Sequence, residues 1–220
     1  MKKFILALSL TLATSLFLSA QTTAVDDYKK GEVYVGYSNG QIDTGIDTGN
    51  SAVDFFQDRE NFNGFNVSGV YNVSRYVGIK GDFSGTYNRK RFTGEVGSPG
   101  GPSIVSVKNS NSLYNFLGGV QVKNNSNSGR FKPFAHALVG GAHARAKISD
   151  YTCSPTVTCP VPSFPDDTFS ETGFAGAFGG GIDIRLNKKI QIRVIQLDYN
   201  PVRIDGSTQN NVRIGAGIVF

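Results

Sequence analysis

Residues 173–186 read Gly-Phe-Ala-Gly-Ala-Phe-Gly-Gly-Gly-Ile-Asp-Ile-Arg-Leu. Taken two at a time, they separate cleanly. Phe174, Phe178, Ile182, Ile184 and Leu186 share one parity, and Ala175, Ala177, Gly179, Gly181, Asp183 and Arg185 share the other. Period two is the signature of a β-strand, whose side chains alternate between faces. A soluble barrel would turn the large apolar set inward. The opposite set decides against that, because glycine, alanine and charges are too small and too polar to fill a dry core. An apolar exterior around a polar interior belongs to a barrel in lipid.

The same pattern recurs on both sides of this stretch. Eight segments alternate, roughly 31–39, 62–73, 76–87, 105–122, 131–148, 172–186, 190–200 and 210–220. In the last, Val212, Ile214, Ala216, Ile218 and Phe220 oppose Arg213, Gly215 and Gly217. In the third, Val77, Ile79 and Phe83 oppose Lys80, Asp82 and Ser84, and in the second Phe65, Val67, Tyr71 and Val73 oppose Asn66, Ser68 and Asn72. The connections alternate too. Ser74-Arg75, Lys123–Arg130 and Asn187–Lys189 are short, whereas 40–61, 88–104, 149–171 and the lesser 200–209 are longer. Short turns at one end and long loops at the other is how outer-membrane barrels are built. Closure also pairs every backbone group without water, as lipid demands. Tyr37, Tyr71, Tyr76, Tyr87, Tyr114, Phe134, Tyr199 and Phe220 are expected in interfacial girdles. The seventh segment changes parity at Val194-Ile195, which predicts a β-bulge there.

The fold class expected is therefore all-β, an eight-stranded antiparallel up-and-down transmembrane barrel over 31–220, after a linker at 21–30. Residues 1–20 carry Lys2 and Lys3, an apolar stretch from Phe4 to Leu18, and small residues up to Ala20. This reads as a secretory signal peptide, with a second possible cut after Ala24. The 220-residue chain has 39% apolar and 18% charged residues, with 27 Gly. After residue 20 no run approaches the roughly 20 apolar residues of a membrane helix. The formal charge of +5 falls by two once Lys2 and Lys3 are removed. That balance is too small to argue for nucleic acid.

Register predicts the lumen. If Asn187-Lys188-Lys189 is a three-residue connection, Leu186 pairs with Ile190 and Asp183 faces Arg193. Lys80, Asp82, Arg145, Arg185 and Arg213 are placed on the same inner parity and expected to extend this ion pair, joined by Glu32 or Asp198. An eight-stranded barrel is just wide enough for side chains to fill it, so a plugged interior is expected. His143 is grouped with Arg145 and Lys147 on the lumen side, and His136 on the outward set. No catalytic residue, metal ligand or cofactor site is assigned. Cys153 and Cys159 bracket five residues of a long connection, which predicts a disulfide in an oxidising compartment. Asp43, Asp47, Asp54, Asp58 and Glu60 form an acidic loop read as solvated, although its repeat hints at calcium. Arg89-Lys90-Arg91 offers charge to lipid phosphates. Gly97–Pro102 reads as a loop tip.

Alternating apolar residues that finish in a terminal aromatic, Val212-Arg-Ile-Gly-Ala-Gly-Ile-Val-Phe220, resemble the ends of the small OmpA-like and OmpX-like outer-membrane barrels. Gly179–Ile190 is also similar to their sixth-to-seventh hairpin. The resemblance covers about 31–220. It implies a multi-pass protein of the bacterial outer membrane, with Phe220 part of the signal read by the barrel-assembly machinery. It implies contact with outer-membrane lipid and lipopolysaccharide, and an extracellular loop partner of unknown identity. The chain stops at Phe220, so a C-terminal wall-binding domain is not expected. A structural or surface-interaction role leads. A narrow solute channel and a lipid-modifying enzyme are the alternatives.

Overall fold

The structure is a computed structural model that describes residues 28–43, 59–98, 101–126, 129–154 and 167–220. The signal peptide expected at 1–20 lies outside the described residues. Eight strands are present: β1 (Gly31–Asp43), β2 (Arg59–Asn72), β3 (Val77–Ser98), β4 (Gly101–Lys123), β5 (Phe131–Ser154), β6 (Asp167–Arg185), β7 (Gln191–Ile204) and β8 (Ser207–Val219). Each pairs antiparallel with its neighbours in chain order, and β1 pairs with β8 to close the barrel. The seam is finished by Phe220, whose backbone exchanges hydrogen bonds of 2.8 and 3.1 Å with Val33.

The wall is apolar outside and polar inside. Ile79, Phe116, Val139, Phe174, Phe178 and Leu197 are exposed on the outer face. Lys80, Asp82, Asn66, Ser84, Asn115 and Gln121 are buried within. Tyr37, Tyr87, Tyr114, Phe174 and Tyr199 end the apolar band toward the long connections, and Tyr71, Tyr76, Phe131 and Phe220 end it toward the turns. Phe134 departs from the expected girdle. It points into the lumen and is 6% exposed.

Val194 and Ile195 both face outward. The ladder to β6 steps from Ile182↔Ile195 to Asp183↔Arg193, and that to β8 from Gln196↔Gly215 to Arg193↔Gly217. One extra residue is thus accommodated at the expected bulge.

Three expectations are corrected. The connection 88–104 is not a loop, because β3 and β4 stay paired as far as Ser98↔Gly101. Gly97 and Pro102, assigned to its tip, face each other in that ladder. The connection 200–209 is a tight turn in which Asp205 (φ 49°) and Gly206 (φ 77°) both adopt positive φ. Asp-Gly is the favoured pair for such a type I′ turn, since glycine enters this region without steric cost. In β5 the parity is reversed: Lys132, Phe134, His136, Leu138 and Ala142 are buried inside, whereas Val139 is outside and Arg145 is exposed on its parity.

A tilted strand crosses the bilayer in about 9–11 residues. β3, β4, β5 and β6 have 22, 23, 24 and 19 residues, so their far ends stand clear of lipid. Pairing of β2 with β3 stops at Asn63↔Tyr87, and pairing of β6 with β7 begins at Phe174↔Arg203. The four long strands therefore project as one sheet, and among the described residues β3 has no ladder partner along one edge beyond Tyr87, nor β6 along the other before Phe174.

Candidate functional site

Inward-facing side chains from seven strands meet in a continuous chain of polar contacts. Near the turns, Lys123 lies 2.9 Å from Glu32 and 2.8 Å from Asp183. Asp183 takes two hydrogen bonds from Arg193, from Nε at 2.8 Å and Nη2 at 3.2 Å. Arg193 then donates to Gln196 at 2.7 Å, and Gln196 donates to Asp198 at 2.7 Å. Arg213 bridges Asp198 and Asp82, each at 2.7 Å, and also donates to Ser84 at 2.9 Å. Lys80 stands 3.8 Å from Asp82 and 3.2 Å from His136 Nδ1. An ammonium can only donate, so Nδ1 accepts. This tautomer, assigned from the contacts, leaves the other ring proton on Nε2, which lies 2.9 Å from Asp198.

The chain is balanced in charge. Glu32, Asp82, Asp183 and Asp198 meet Lys80, Lys123, Arg193 and Arg213, and all eight residues are at most 5% exposed. A buried charge is tolerable only when paired and hydrogen-bonded. The Arg193 guanidinium is also held between aromatic faces, 4.0 Å from the Phe134 centroid and 4.3 Å from that of Tyr34. Glycines make room for this arrangement. A Cβ at Gly36 would lie 2.2 Å from the Tyr34 hydroxyl, and one at Gly217 would lie 2.9 Å from its ring.

Above the ions the lumen becomes apolar. Leu113, Leu117, Leu138, Ala142, Ala175, Ala177 and Val202 pack into one buried cluster. Over it opens a cup of about 480 Å³ between Ile42, Phe62, Leu113, Phe169 and Ile204, with Asp43, Glu60 and Glu171 around it.

The structure brings together Lys80, Asp82, Asp183, Arg193 and Arg213. It does not bring Arg145 and Arg185 to them. Arg145 sits on the outer parity of β5, above the apolar band, and Arg185 borders the mouth at the turn end. Sequence reading missed Lys123, which it assigned to a connection, and His136, which it turned outward. His143 instead faces away from the lumen and contacts Thr172 at 2.9 Å. Cys153 lies near the end of β5, and Cys159 is outside the described residues, as are Asp47, Asp54 and Asp58 of the acidic loop. Among the described residues no group of three or more His, Cys, Asp or Glu is placed to hold a metal ion. Arg89, Arg91 and Arg145 are exposed on the outside of the projecting sheet, just above Tyr87 and Tyr114.

A family model described as the outer membrane protein beta-barrel domain matches residues 10–220. The chain belongs to that family. As a member of it, the protein is a barrel of the bacterial outer membrane. No curated protein matches the chain. Among solved structures it is similar to Ail, the attachment invasion locus protein of Yersinia pestis. In a complex of Ail with the heparin analogue sucrose octasulfate, identity is 19%, coverage is 87% of this chain and 100% of that one, and the TM-score is 0.51. For Ail alone the values are 18%, 88%, 99% and 0.52. Neisserial surface protein A shares 12% identity over 86% of this chain and 95% of that one, with a TM-score of 0.44. The likeness to Ail is one of fold.

Proposed function

We propose that this outer-membrane barrel is non-catalytic, closed to solutes, and acts through the surface it presents outside the cell. The observation that carries this reading is the buried chain of four acids and four bases across the lumen, capped by an apolar cluster. A solute would have to break these buried charge pairs to pass. Removing one partner of such a pair costs about 3–5 kcal/mol. The test is planar-bilayer recording of the refolded protein. A silent bilayer is the expected result, and a reproducible unit conductance would replace this reading with the narrow channel.

The outward role is supported by the projecting sheet, whose β3 edge beyond Tyr87 has no ladder partner among the described residues. Such an edge can take an added strand from a partner. The exposed guanidinium groups of Arg89, Arg91 and Arg145 suit the phosphates of lipopolysaccharide. The polysulfated ligand in the Ail complex is an anion of comparable character. Residues 1–20 act as the export signal, Phe220 as part of the assembly signal, and Cys153 with Cys159 as a disulfide tying β5 to the following connection. Two reactive thiols in the unreduced mature protein would remove the disulfide from this account.

A further inference from the structure

His136 is placed among the lumen ions by the strands beside it. It faces Gly179 of β6, which in turn faces Asp198 of β7. A Cβ at Gly179 would lie 2.1 Å from the Leu197 carbonyl oxygen and 2.5 Å from Asp198 Oδ1. Glycine therefore lets the ring and the carboxylate meet across the strand between them, and Nε2 stands 2.9 Å from that oxygen. On its other side Nδ1 lies 3.2 Å from the Lys80 ammonium of β3. The ring is stacked on Phe134, with planes 27° apart. His136, Lys80 and Asp198 are 6%, 1% and 0% exposed.

Charges converge on this ring from across the lumen. β3 presents Lys80 and Asp82, and β7 presents Asp198. β8 presents Arg213, which holds both of those acids at 2.7 Å. Directly opposite on β4 and β6 are the uncharged Gln121 and Gly179. Arg193 of β7 lies 4.0 Å from the Phe134 centroid and is paired with Asp183 of β6. Lys123 of β4 is held by Asp183 and by Glu32 of β1. With the ring neutral, four acids meet four bases. A proton on Nδ1 turns the acceptor into a donor. It sets two cations 3.2 Å apart and leaves five cations against four carboxylates. A buried charge without a partner is strongly destabilising.

We propose that His136 is an acid-sensitive latch of the lumen. Its neutral ring joins Lys80 to Asp198, and a second ring proton unlocks them. A free histidine takes up that proton near pH 6.5. The folded arrangement has no place for it, whereas the unfolded chain accepts it. Stability is therefore present above this range and is lost as the pH falls through it. The latch concerns how the interior is held together and stands whether or not solutes pass.

The chain has two histidines. His143 faces outward beside Thr172 and serves as the control. Protein refolded in detergent is titrated with guanidinium chloride at about pH 7.5 and about pH 5, either side of the free histidine value. The folded fraction is read from heat-shifted gel migration. The wild-type midpoint should fall by roughly 0.5 M or more in acid, and His143→Gln should keep that fall. His136→Gln, which donates and accepts without titrating, should lose it. Lys80→Gln leaves four acids with three bases, so a proton on His136 restores the balance and acid should raise the midpoint. A wild-type midpoint that does not move would overturn the latch, and so would a fall as large as the wild type's in His136→Gln or Lys80→Gln. Ring-nitrogen NMR of the His143→Gln protein, which keeps His136 and Lys80, covers the case in which the other variants do not fold. At about pH 7.5 its remaining histidine should carry a proton on Nε2 alone, and protonation of Nδ1 there would equally overturn the latch.

Discussion

Two cations converge on Asp183, and the carboxylate is fully buried. Replacing it with alanine leaves Arg193 without its bidentate partner and Lys123 with Glu32 as its one acidic partner beside the Gln191 amide oxygen. Asp183→Ala should therefore destabilise the barrel by about 3–5 kcal/mol, and adding Arg193→Ala should recover part of the loss. Denaturant unfolding in lipid or detergent gives the coupling energy, and a value near zero would deny the pair any energetic role. The sequence led to these two residues by counting across a three-residue turn, because apolar partners flank them on both strands. Lys123 and His136 were not reached in that way. Lys123 ends its strand next to a polar run, so nothing in the pattern separates strand from turn. In β5 the outward residues Ala135 and Ala137 are too small to set the phase. Arg145 and Lys147 then set it wrongly, because they stand above lipid, where a charge can face either way.

At the scale of elements, alternation identifies strands only where one face meets hydrocarbon. Residues Arg89 to Glu95 of β3 are exposed on both faces, so Arg89-Lys90-Arg91, with Gly97 and Pro102 beyond, looked like a loop although they lie in a ladder. The β7–β8 turn was hidden for the same reason, although Asp205-Gly206 signals it directly. Inside the lipid band the reading is sharp enough to locate a single inserted residue. Val194 and Ile195 stand opposite one residue of β8, Ala216. Deleting Val194 removes the surplus and keeps Arg193 and Gln196 inward. Deleting Ile192, which lies in regular pairing, forces the parity of one side to flip. The Val194 deletion should retain heat-shifted migration on gels and the Ile192 deletion should lose it. Equal behaviour of the two would place the bulge elsewhere.

For the whole molecule, orientation follows from the two unlike ends. Protease added to intact cells should cut within 155–166, between the long strands β5 and β6. It should spare Ser74-Arg75 and Asn187–Lys189, which are tight turns on the other side. Cutting at 99–100 should be slower, because β3 and β4 are paired up to Ser98↔Gly101. Cleavage at the tight turns in sealed cells would invert the barrel.

The lumen ions have a further consequence for how such a wall is made. Glu32, Lys80, Asp82 and Lys123 come from the first four strands, and Asp183, Arg193, Asp198 and Arg213 from the last four. Each half of the sheet therefore contributes two acids and two bases to the chain before the seam between β1 and β8 is sewn. Lys80 with Asp82 on β3, and Arg193 with Asp198 on β7, are neutral even as single strands. A sheet assembled as two four-stranded halves can thus enter the bilayer with the ions of this chain balanced in each, and closure brings together halves whose chain ions sum to zero.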